Sequence, residues 1–305
     1  MRSRLALAVF AVLLLAAAQA WVHAAPASGA LTRIRDTGRL TLGYRTDARP
    51  FSYTDGSGTP AGYSIALCQH VFEEVKRDLD LPRLKAEWKP VEFSQRFRAL
   101  RLGEIDLMCG ADTITVSRRA EADFSIPIFP GGIGALLRAD SPVRLREVLS
   151  GRGQQFNPVW RANATQLLQA RDFIVVGNTT AEAWLGRRMN DLDVLAPVQV
   201  VKSYGEGVQR VLNRRSDVFF GDRAILLDTA NRQSGGRELI VLDRLFTYEP
   251  MALALAPGDD GFRLLVDRAI SQMYRSGEIT KLYVKSFGEP DASTLTFFRW
   301  NTLPE

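Results

Sequence analysis

Short apolar segments alternate with longer amphipathic ones along most of the chain. From Arg39 onward the short segments have the length of strands, and the longer ones repeat apolar residues at helical spacing. Alternation of this kind predicts an α/β protein with mostly parallel sheets. The predicted strands lie at 40–43, 86–91, 105–109, 173–177, 218–221, 238–243 and 251–256. The predicted helices lie at 65–79, 95–101, 207–214, 224–231, 262–276 and 278–287, with one more beginning at 180.

The pattern contains an internal echo. A helix end, a turn, a strand and a glycine occur in that order over 98–110 and again over 208–221, and Asp112 and Asp222 follow the two glycines. Half-chains of similar build suggest two similar lobes rather than one large sheet. The other interpretation is that any two strand–helix units look alike at this level. Residues 151–170 have no clear period and are predicted to form a surface excursion.

The first thirty residues follow a different pattern. A basic start precedes an apolar run over 5–18 and then small residues, which predicts a signal peptide over 1–25 with cleavage near Ala24 or Ala25. A retained membrane anchor is the alternative, but the run is shorter than the roughly 20 residues that cross a bilayer. Since no cysteine lies just after the predicted cleavage point and no later apolar run approaches membrane length, we expect a soluble exported protein.

Composition narrows the class of function. Lys and Arg number 39 against 34 Asp and Glu, and the arginines are scattered, so we expect no nucleic-acid binding. After cleavage only His70 remains, and it has no nearby nucleophile. The chain also lacks a phosphate-binding loop and a dinucleotide fingerprint. We therefore expect binding rather than catalysis, with no catalytic residues, cofactor or metal.

The two cysteines, Cys68 and Cys109, belong to a chain predicted to enter an oxidising compartment. Helical spacing places Cys68 on the apolar face of its helix, and alternation places Cys109 on one face of its strand. Both residues therefore point into the same kind of helix-on-sheet layer, which favours one disulfide. Two buried free thiols are the alternative, because cysteine is among the most buried residue types.

The most informative polar pattern lies in the segment 109–127. A predicted strand ends at Gly110, and Thr113 and Arg118 follow in a loop that opens a helix. Such a place offers backbone N–H groups, a hydroxyl and a guanidinium together, which suits a carboxylate. The alternative is an ordinary helix cap with solvated arginines.

This segment resembles the signature of the periplasmic amino-acid-binding proteins of ABC importers, bacterial extracellular solute-binding family 3. It has Thr-Ile-Thr at 113–115, Arg118 shortly after, and Asp-Phe-Ser-Ile-Pro at 123–127. Four further segments match in the family's order, and the likeness extends from about residue 31 to residue 290. The four segments are 50–53, 62–65, 103–106 and 276–278.

The resemblance implies the type II periplasmic-binding fold, with two lobes that close over a ligand. The first lobe would comprise 31–128 plus 250–290 and the second lobe 129–249. Two hinge segments, near 126–130 and 247–251, would join them. The C-terminal tail, 291–305, is expected to pack along a lobe.

The resemblance also implies how an amino acid would be held. Arg118 and Thr113 would bind its α-carboxylate, and Asp222 its α-ammonium. Thr179 and Thr180, at the start of a helix, would add hydroxyl and N–H donors.

Within the family the chain is most similar to the glutamate/aspartate-binding subgroup, which reads the ligand's side-chain carboxylate with two further arginines. Arg45 and Arg96 stand at the matching places, although a solvated surface charge is the alternative for each. Tyr204, where the subgroup has a histidine, and Ala111, where it has a hydroxyl residue, depart from its pattern.

The expected function is to capture a free amino acid, glutamate or aspartate, in the periplasm and to deliver it as a monomer to the membrane permease of an ABC importer. The alternative is a small-metabolite lyase or hydrolase on the same fold, with Asp112 or Glu206 as a cleft acid. The sensor half of a receptor is disfavoured, because no transmembrane pattern follows residue 287.

Overall fold

The computed structural model of the protein describes residues 29–151 and 165–304. The predicted signal peptide and most of the predicted surface excursion lie outside the described residues. The described part forms two large sheets flanked by helices and one small sheet. No helix in this part of the chain is both long and apolar enough to cross a lipid bilayer.

The first lobe is built around a six-stranded sheet. Its strands are β1 (Arg39–Tyr44), β5 (Lys85–Pro90), β6 (Leu107–Thr113), β7 (Asp123–Phe124), β8 (Phe129–Gly131) and β14 (Glu249–Leu255). The small sheet beside it contains β2 (Asp47–Ala48), β3 (Ser52–Thr54) and β4 (Pro60–Ala61). Its helices are α1 (Ala30–Thr37), α2 (Tyr63–Asp78), α3 (Arg96–Arg101), α4 (Val116–Arg119), α9 (Asp260–Ser276), α10 (Glu278–Phe287) and α11 (Ala292–Asn301), with a 3-10 helix at Phe93–Gln95.

The second lobe is built around a five-stranded sheet. Its strands are β9 (Ile133–Arg138), β10 (Phe173–Val176), β11 (Val198–Val201), β12 (Val218–Asp222) and β13 (Leu239–Val241). The helices with both ends described are α5 (Val143–Ser150), α6 (Thr180–Asp191), α7 (Tyr204–Leu212) and α8 (Arg223–Asn231), with a 3-10 helix at Gly236–Glu238.

The two large sheets have the same plan. The strand order is β5-β1-β6-β14-β7 in the first and β11-β10-β12-β9-β13 in the second. The first three strands of each are parallel, as predicted, whereas β14 and β9 run antiparallel to their neighbours. These two strands are the first that the chain enters after crossing between lobes, so no helical crossover fixes their direction. The predicted two-lobed α/β class is confirmed.

The two passages between the lobes lie side by side. Strand β8 pairs antiparallel with the start of β14, so that Gly131 lies opposite Glu249. Thr247, just before β14, accepts a hydrogen bond at Oγ1 from the Ile133 backbone N–H at 3.0 Å. We propose that these paired segments form the hinge and that the lobes divide near residues 128 and 250.

The echo in the sequence has a structural counterpart. The carboxylate of Asp106, before β6, accepts a hydrogen bond from the Thr41 N–H of β1 at 2.9 Å. In the second lobe the carboxylate of Asp217, before β12, accepts from the Asp172 N–H before β10 at the same distance. The two lobes therefore tie equivalent neighbouring strands together with the same type of contact.

The C-terminal helix α11 packs on the first lobe. Phe298 is buried, and its ring centre lies 5.6 Å from those of Tyr274 and Tyr283. Beyond the helix, the Leu303 N–H donates to Ser271 Oγ at 2.9 Å. The buried aromatic ring of this part of the tail therefore adds to the core of the first lobe.

The predicted disulfide is confirmed. Cys68, on α2, is bonded to Cys109, on β6, with Cα atoms 6.0 Å apart. Both residues are fully buried. The bridge therefore fixes α2 to the central strand whose end carries Thr113.

We expect the double variant Cys68→Ala/Cys109→Ala to be less stable by about 4 kcal/mol, because the bridge restricts the unfolded chain across 41 residues. Urea denaturation of the variant and of the oxidised wild type measures the difference. Wild type treated with a reductant should approach the variant. Equal midpoints for all three proteins would show that the bridge contributes nothing to stability.

Candidate functional site

A cavity of about 530 Å³ lies between the two lobes. It is bounded by the carboxyl ends of β1, β6, β10, β11 and β12, the edge at which α/β proteins commonly bind ligands. Seven of the eight predicted binding residues line it: Arg45, Thr113, Arg118, Thr179, Thr180, Tyr204 and Asp222.

The segment that carries Arg118 differs in detail from the prediction. Strand β6 does not end at Gly110 but continues to Thr113, because Thr113 pairs with Met251 of β14. The helix that follows is a single turn, and Thr115 caps it by accepting a hydrogen bond from the Arg118 N–H at 3.1 Å. Thr113 and Arg118 are thus held by a strand end and a capped turn.

The Arg118 guanidinium faces the cavity without a carboxylate partner among the described residues. Its Nη1 donates to the Thr113 carbonyl oxygen at 2.9 Å. The nearby carboxylates of Asp112 and Glu121 pair instead with Arg96 and Arg101. Burial lowers the pKa of Arg118. A desolvated, unneutralised guanidinium of this kind is suited to a carboxylate from outside the chain.

Asp222 supplies the opposite charge. It ends β12 and caps α8, where its Oδ1 accepts a hydrogen bond from the Ile225 N–H at 3.0 Å. Its Oδ2 is shielded from solvent and has no hydrogen-bond partner in the described part of the chain. Burial raises the pKa of Asp222 to about 7, and the negative charge of Glu249 contributes to the rise. Among the described residues no cation pairs with this carboxylate to offset its burial.

Tyr204 contacts the backbone of Asp222. Its hydroxyl oxygen accepts a hydrogen bond from the Asp222 backbone N–H at 3.0 Å, and its ring packs against Phe219. Burial raises the pKa of Tyr204, so its hydroxyl keeps its proton at neutral pH. Tyr204 therefore positions the acidic pole of the cavity as well as lining it.

The two threonines at the start of α6 have different surroundings. Thr179 caps the helix by accepting from the Glu182 N–H, and its hydroxyl donates to the Val176 carbonyl oxygen at 2.7 Å. The Thr180 hydroxyl instead donates across the cavity to Glu249 Oε2 at 2.7 Å. The Thr180 hydroxyl therefore lies at the cavity with Glu249 as its acceptor, whereas the Thr179 hydroxyl is engaged within its own turn.

Glu249 is a cavity residue that sequence reasoning missed. Its Oε2 accepts from the hydroxyls of Thr180 at 2.7 Å and Thr113 at 3.2 Å, and its Oε1 accepts from Thr247 at 2.9 Å. One carboxylate thus connects the first lobe, the second lobe and the passage between them.

The structure separates the two arginines predicted to select acidic ligands. Arg45 lines the cavity, and its Nε donates to Asp47 at 2.9 Å. Arg96 lies behind the cavity wall, 6% exposed, where its Nε donates to Asp112 at 2.6 Å. Arg96 is not among the residues that line the cavity, so its expected role as a ligand contact has no support from its position.

Three arginine side chains on the first-lobe side of the cavity lie around the ring of Phe93, an arrangement that the sequence did not reveal. The guanidinium carbons of Arg96, Arg45 and Arg118 lie 3.8, 4.7 and 6.0 Å from the centre of its ring. Cations near the face of an aromatic ring are attracted by its quadrupole. The exposed side chain of Lys202 adds a cation to the opposite wall.

The two carboxylates considered for an enzymatic alternative have different positions. Asp112 reaches the cavity, but its Oδ1 is bound to Arg96. Glu206 is exposed on α7 and accepts a hydrogen bond from the Lys202 backbone N–H at 3.0 Å. Among the described residues, no group of His, Cys, Asp and Glu side chains has the arrangement of a metal site.

Known proteins share this fold and sequence pattern. The chain is 29% identical over 264 residues to the L-glutamate/L-aspartate-binding protein of Pseudomonas aeruginosa, covering 86% of this chain and 81% of that protein. It is 27% identical over 268 residues to the glutamate/aspartate import solute-binding protein of Escherichia coli, covering 88% and 82%.

Among solved structures, an ancestral amino-acid-binding protein, described as a precursor of cyclohexadienyl dehydratase, matches with a TM-score of 0.68. It is 24% identical, and the match covers 85% of this chain and 100% of that one. The family model for bacterial extracellular solute-binding proteins, family 3, matches residues 40–289. The chain therefore belongs to the bacterial extracellular solute-binding proteins of family 3.

Proposed function

We propose that the protein captures a free acidic amino acid, glutamate or aspartate, in the cavity between its lobes and delivers it to the membrane permease of an ABC importer. The observation that carries the proposal is the pair of unneutralised charges in the cavity. Arg118 has no carboxylate partner in the described part of the chain, and Asp222 has an oxygen without a hydrogen bond. An amino acid's α-carboxylate and α-ammonium would complete both poles.

The preference for an acidic ligand rests on the charges around Phe93. A second carboxylate on the ligand would lie near Arg45, whose guanidinium shares the Phe93 ring with that of Arg118. Arg96 would contribute positive potential from behind the wall and would orient the ring it packs against. The two glutamate/aspartate-binding relatives support the same ligand class.

The remaining parts of the proposal follow from the family. We propose export through the N-terminal signal peptide, action in the periplasm and a monomeric state, with no chemical change to the ligand. Closure about the β8–β14 segments would present the loaded form to the permease. A ligand recovered unchanged after prolonged incubation with the protein would support binding without turnover.

We expect calorimetry against the twenty amino acids to give the strongest binding with glutamate or aspartate, at micromolar dissociation constants or below, about −8 kcal/mol. Arg45→Ala should weaken the binding of acidic ligands about tenfold or more, since it removes a charge-assisted contact to the side-chain carboxylate. The affinity for neutral amino acids should be nearly unchanged. Heat only with neutral or basic amino acids would exclude the acidic assignment.

Two variants serve as comparisons for Arg45→Ala. Arg39→Ala removes an exposed arginine outside the cavity and should bind like wild type. Arg96→Ala should instead reduce stability by about 3 kcal/mol or more, because it leaves Asp112 buried without its partner. If Arg96→Ala is as stable as wild type and only its preference for acidic ligands is reduced, Arg96 is a direct ligand contact after all.

A further inference from the structure

Glu249 occupies hydrogen-bond donors that the proposed ligand also needs. Its Oε2 accepts from Thr113 of the first lobe and Thr180 of the second. Each hydroxyl has one proton and can donate to one acceptor at a time. A ligand carboxylate drawn to Arg118 would therefore meet a carboxylate of the protein already bound to the neighbouring hydroxyls.

Like charges strengthen the conflict. The carboxylate of Glu249 and the α-carboxylate of a ligand would both approach the same small set of donors, where partial burial reduces the screening by water. Glu249 also adds negative charge near Asp222 and contributes to its raised pKa. Binding of the α-carboxylate thus requires Glu249 to move or to yield at least one hydroxyl.

The structure provides space for that movement. Glu249 lines the ligand cavity and also an adjoining cavity of about 490 Å³, whose lining includes Trp184 and Tyr248. Thr113, Arg118 and Thr180 line both cavities. The adjoining cavity gives the carboxylate space to move away from the ligand cavity. The residue thus borders both spaces.

We propose that Glu249 is an internal competitor of the ligand's α-carboxylate and that this competition sets the affinity of the site. The inference rests on the proposed function. The competing carboxylate holds Thr113 and Thr180 together until a ligand replaces it. Because Glu249 is also bonded to Thr247, which accepts from Ile133, the exchange acts directly on the segments that join the lobes.

The test compares Glu249→Gln and Glu249→Ala with wild type by calorimetry with L-glutamate. Removing the competing charge should tighten binding about tenfold or more, the worth of a hydrogen bond to a charged group. Glu87→Gln makes the same charge change on an exposed strand outside the cavity and should leave affinity unchanged. Equal or weaker binding by the Gln variant would overturn the proposal, because it would show that the charge of Glu249 does not oppose ligand binding.

Acetate gives a second measurement that does not depend on amino-acid binding. The Ala variant exposes two hydroxyls that a small carboxylate could use, so acetate should raise its melting temperature more than that of wild type, with chloride as the control anion. Equal acetate effects on both proteins would overturn the competition. Failure of wild type to bind any amino acid would overturn the proposed function, while the acetate comparison would still decide the role of Glu249.

Discussion

Arg118→Ala is expected to lose binding of every amino acid, by about a hundredfold or more. The guanidinium is held by the Thr113 carbonyl oxygen and lacks an ion-pair partner in the described part of the chain. Its interaction with the α-carboxylate would be charge-assisted and shielded from water, and truncating such a contact typically costs about 2–5 kcal/mol. Calorimetry with glutamate, aspartate and one neutral amino acid would measure the loss.

The neighbouring arginine provides a matched control. Arg119 lies on the same helical turn but is exposed and does not line the cavity, so Arg119→Ala should bind as wild type does. Arg118→Lys should recover only part of the affinity, because an ammonium cannot make the paired contacts of a guanidinium. If Arg118→Ala folds normally and binds within a few-fold of wild type, the α-carboxylate is held elsewhere.

Local periodicity predicted much of the fold. The helix expected at 278–287 coincides with α10, because its apolar spacing is strong and Gly277, at φ 76°, interrupts the preceding helix in a left-handed conformation. Strand ends were less accurate where the partner is distant in sequence. Strand β6 extends to Thr113 and β14 begins at Glu249 because each pairs with strands more than a hundred residues away.

Site residues could be predicted from the sequence where they belong to a motif with many matching positions. Arg118 came from such a motif, whereas Asp222 came from a looser match to the family and from the echo between the half-chains. Arg96 could not be distinguished from Arg45 in sequence, since both are arginines beside apolar residues. The buried Asp112, sixteen positions away, gives Arg96 a different environment.

Glu249 and Phe93 illustrate a second limit. Both lie in irregular or crossing segments, where periodicity carries no information about the direction of a side chain. One signal was present for Glu249: an acidic residue within a segment expected to join two lobes at their cleft. The position of such a residue at the cleft follows from the path of the chain between the lobes, which local periodicity does not reveal.

The affinity for amino acids should fall as pH decreases through 7. Burial raises the pKa of Asp222 to about 7. In the ligand-free protein, the Asp222 carboxyl is therefore largely protonated below pH 7. An ammonium ligand binds the ionised form, and the apparent dissociation constant should rise about tenfold between pH 8 and pH 6. Calorimetry in buffers of different ionisation enthalpy should also detect proton release on binding at pH 6.

Stability should have the opposite pH dependence. The folded pKa of Asp222 lies above its value of 3.8 in the unfolded chain, so the contribution of its protonated form is complete below about pH 4 and is lost as pH rises towards 7. Asp222→Asn should remove this trend from the ligand-free protein and bind amino acids weakly at every pH. Asp243→Asn, which alters an exposed carboxylate, should retain both pH profiles of wild type. An unchanged affinity between pH 8 and pH 6 in wild type would show that Asp222 is already ionised and that its charge is balanced within the protein.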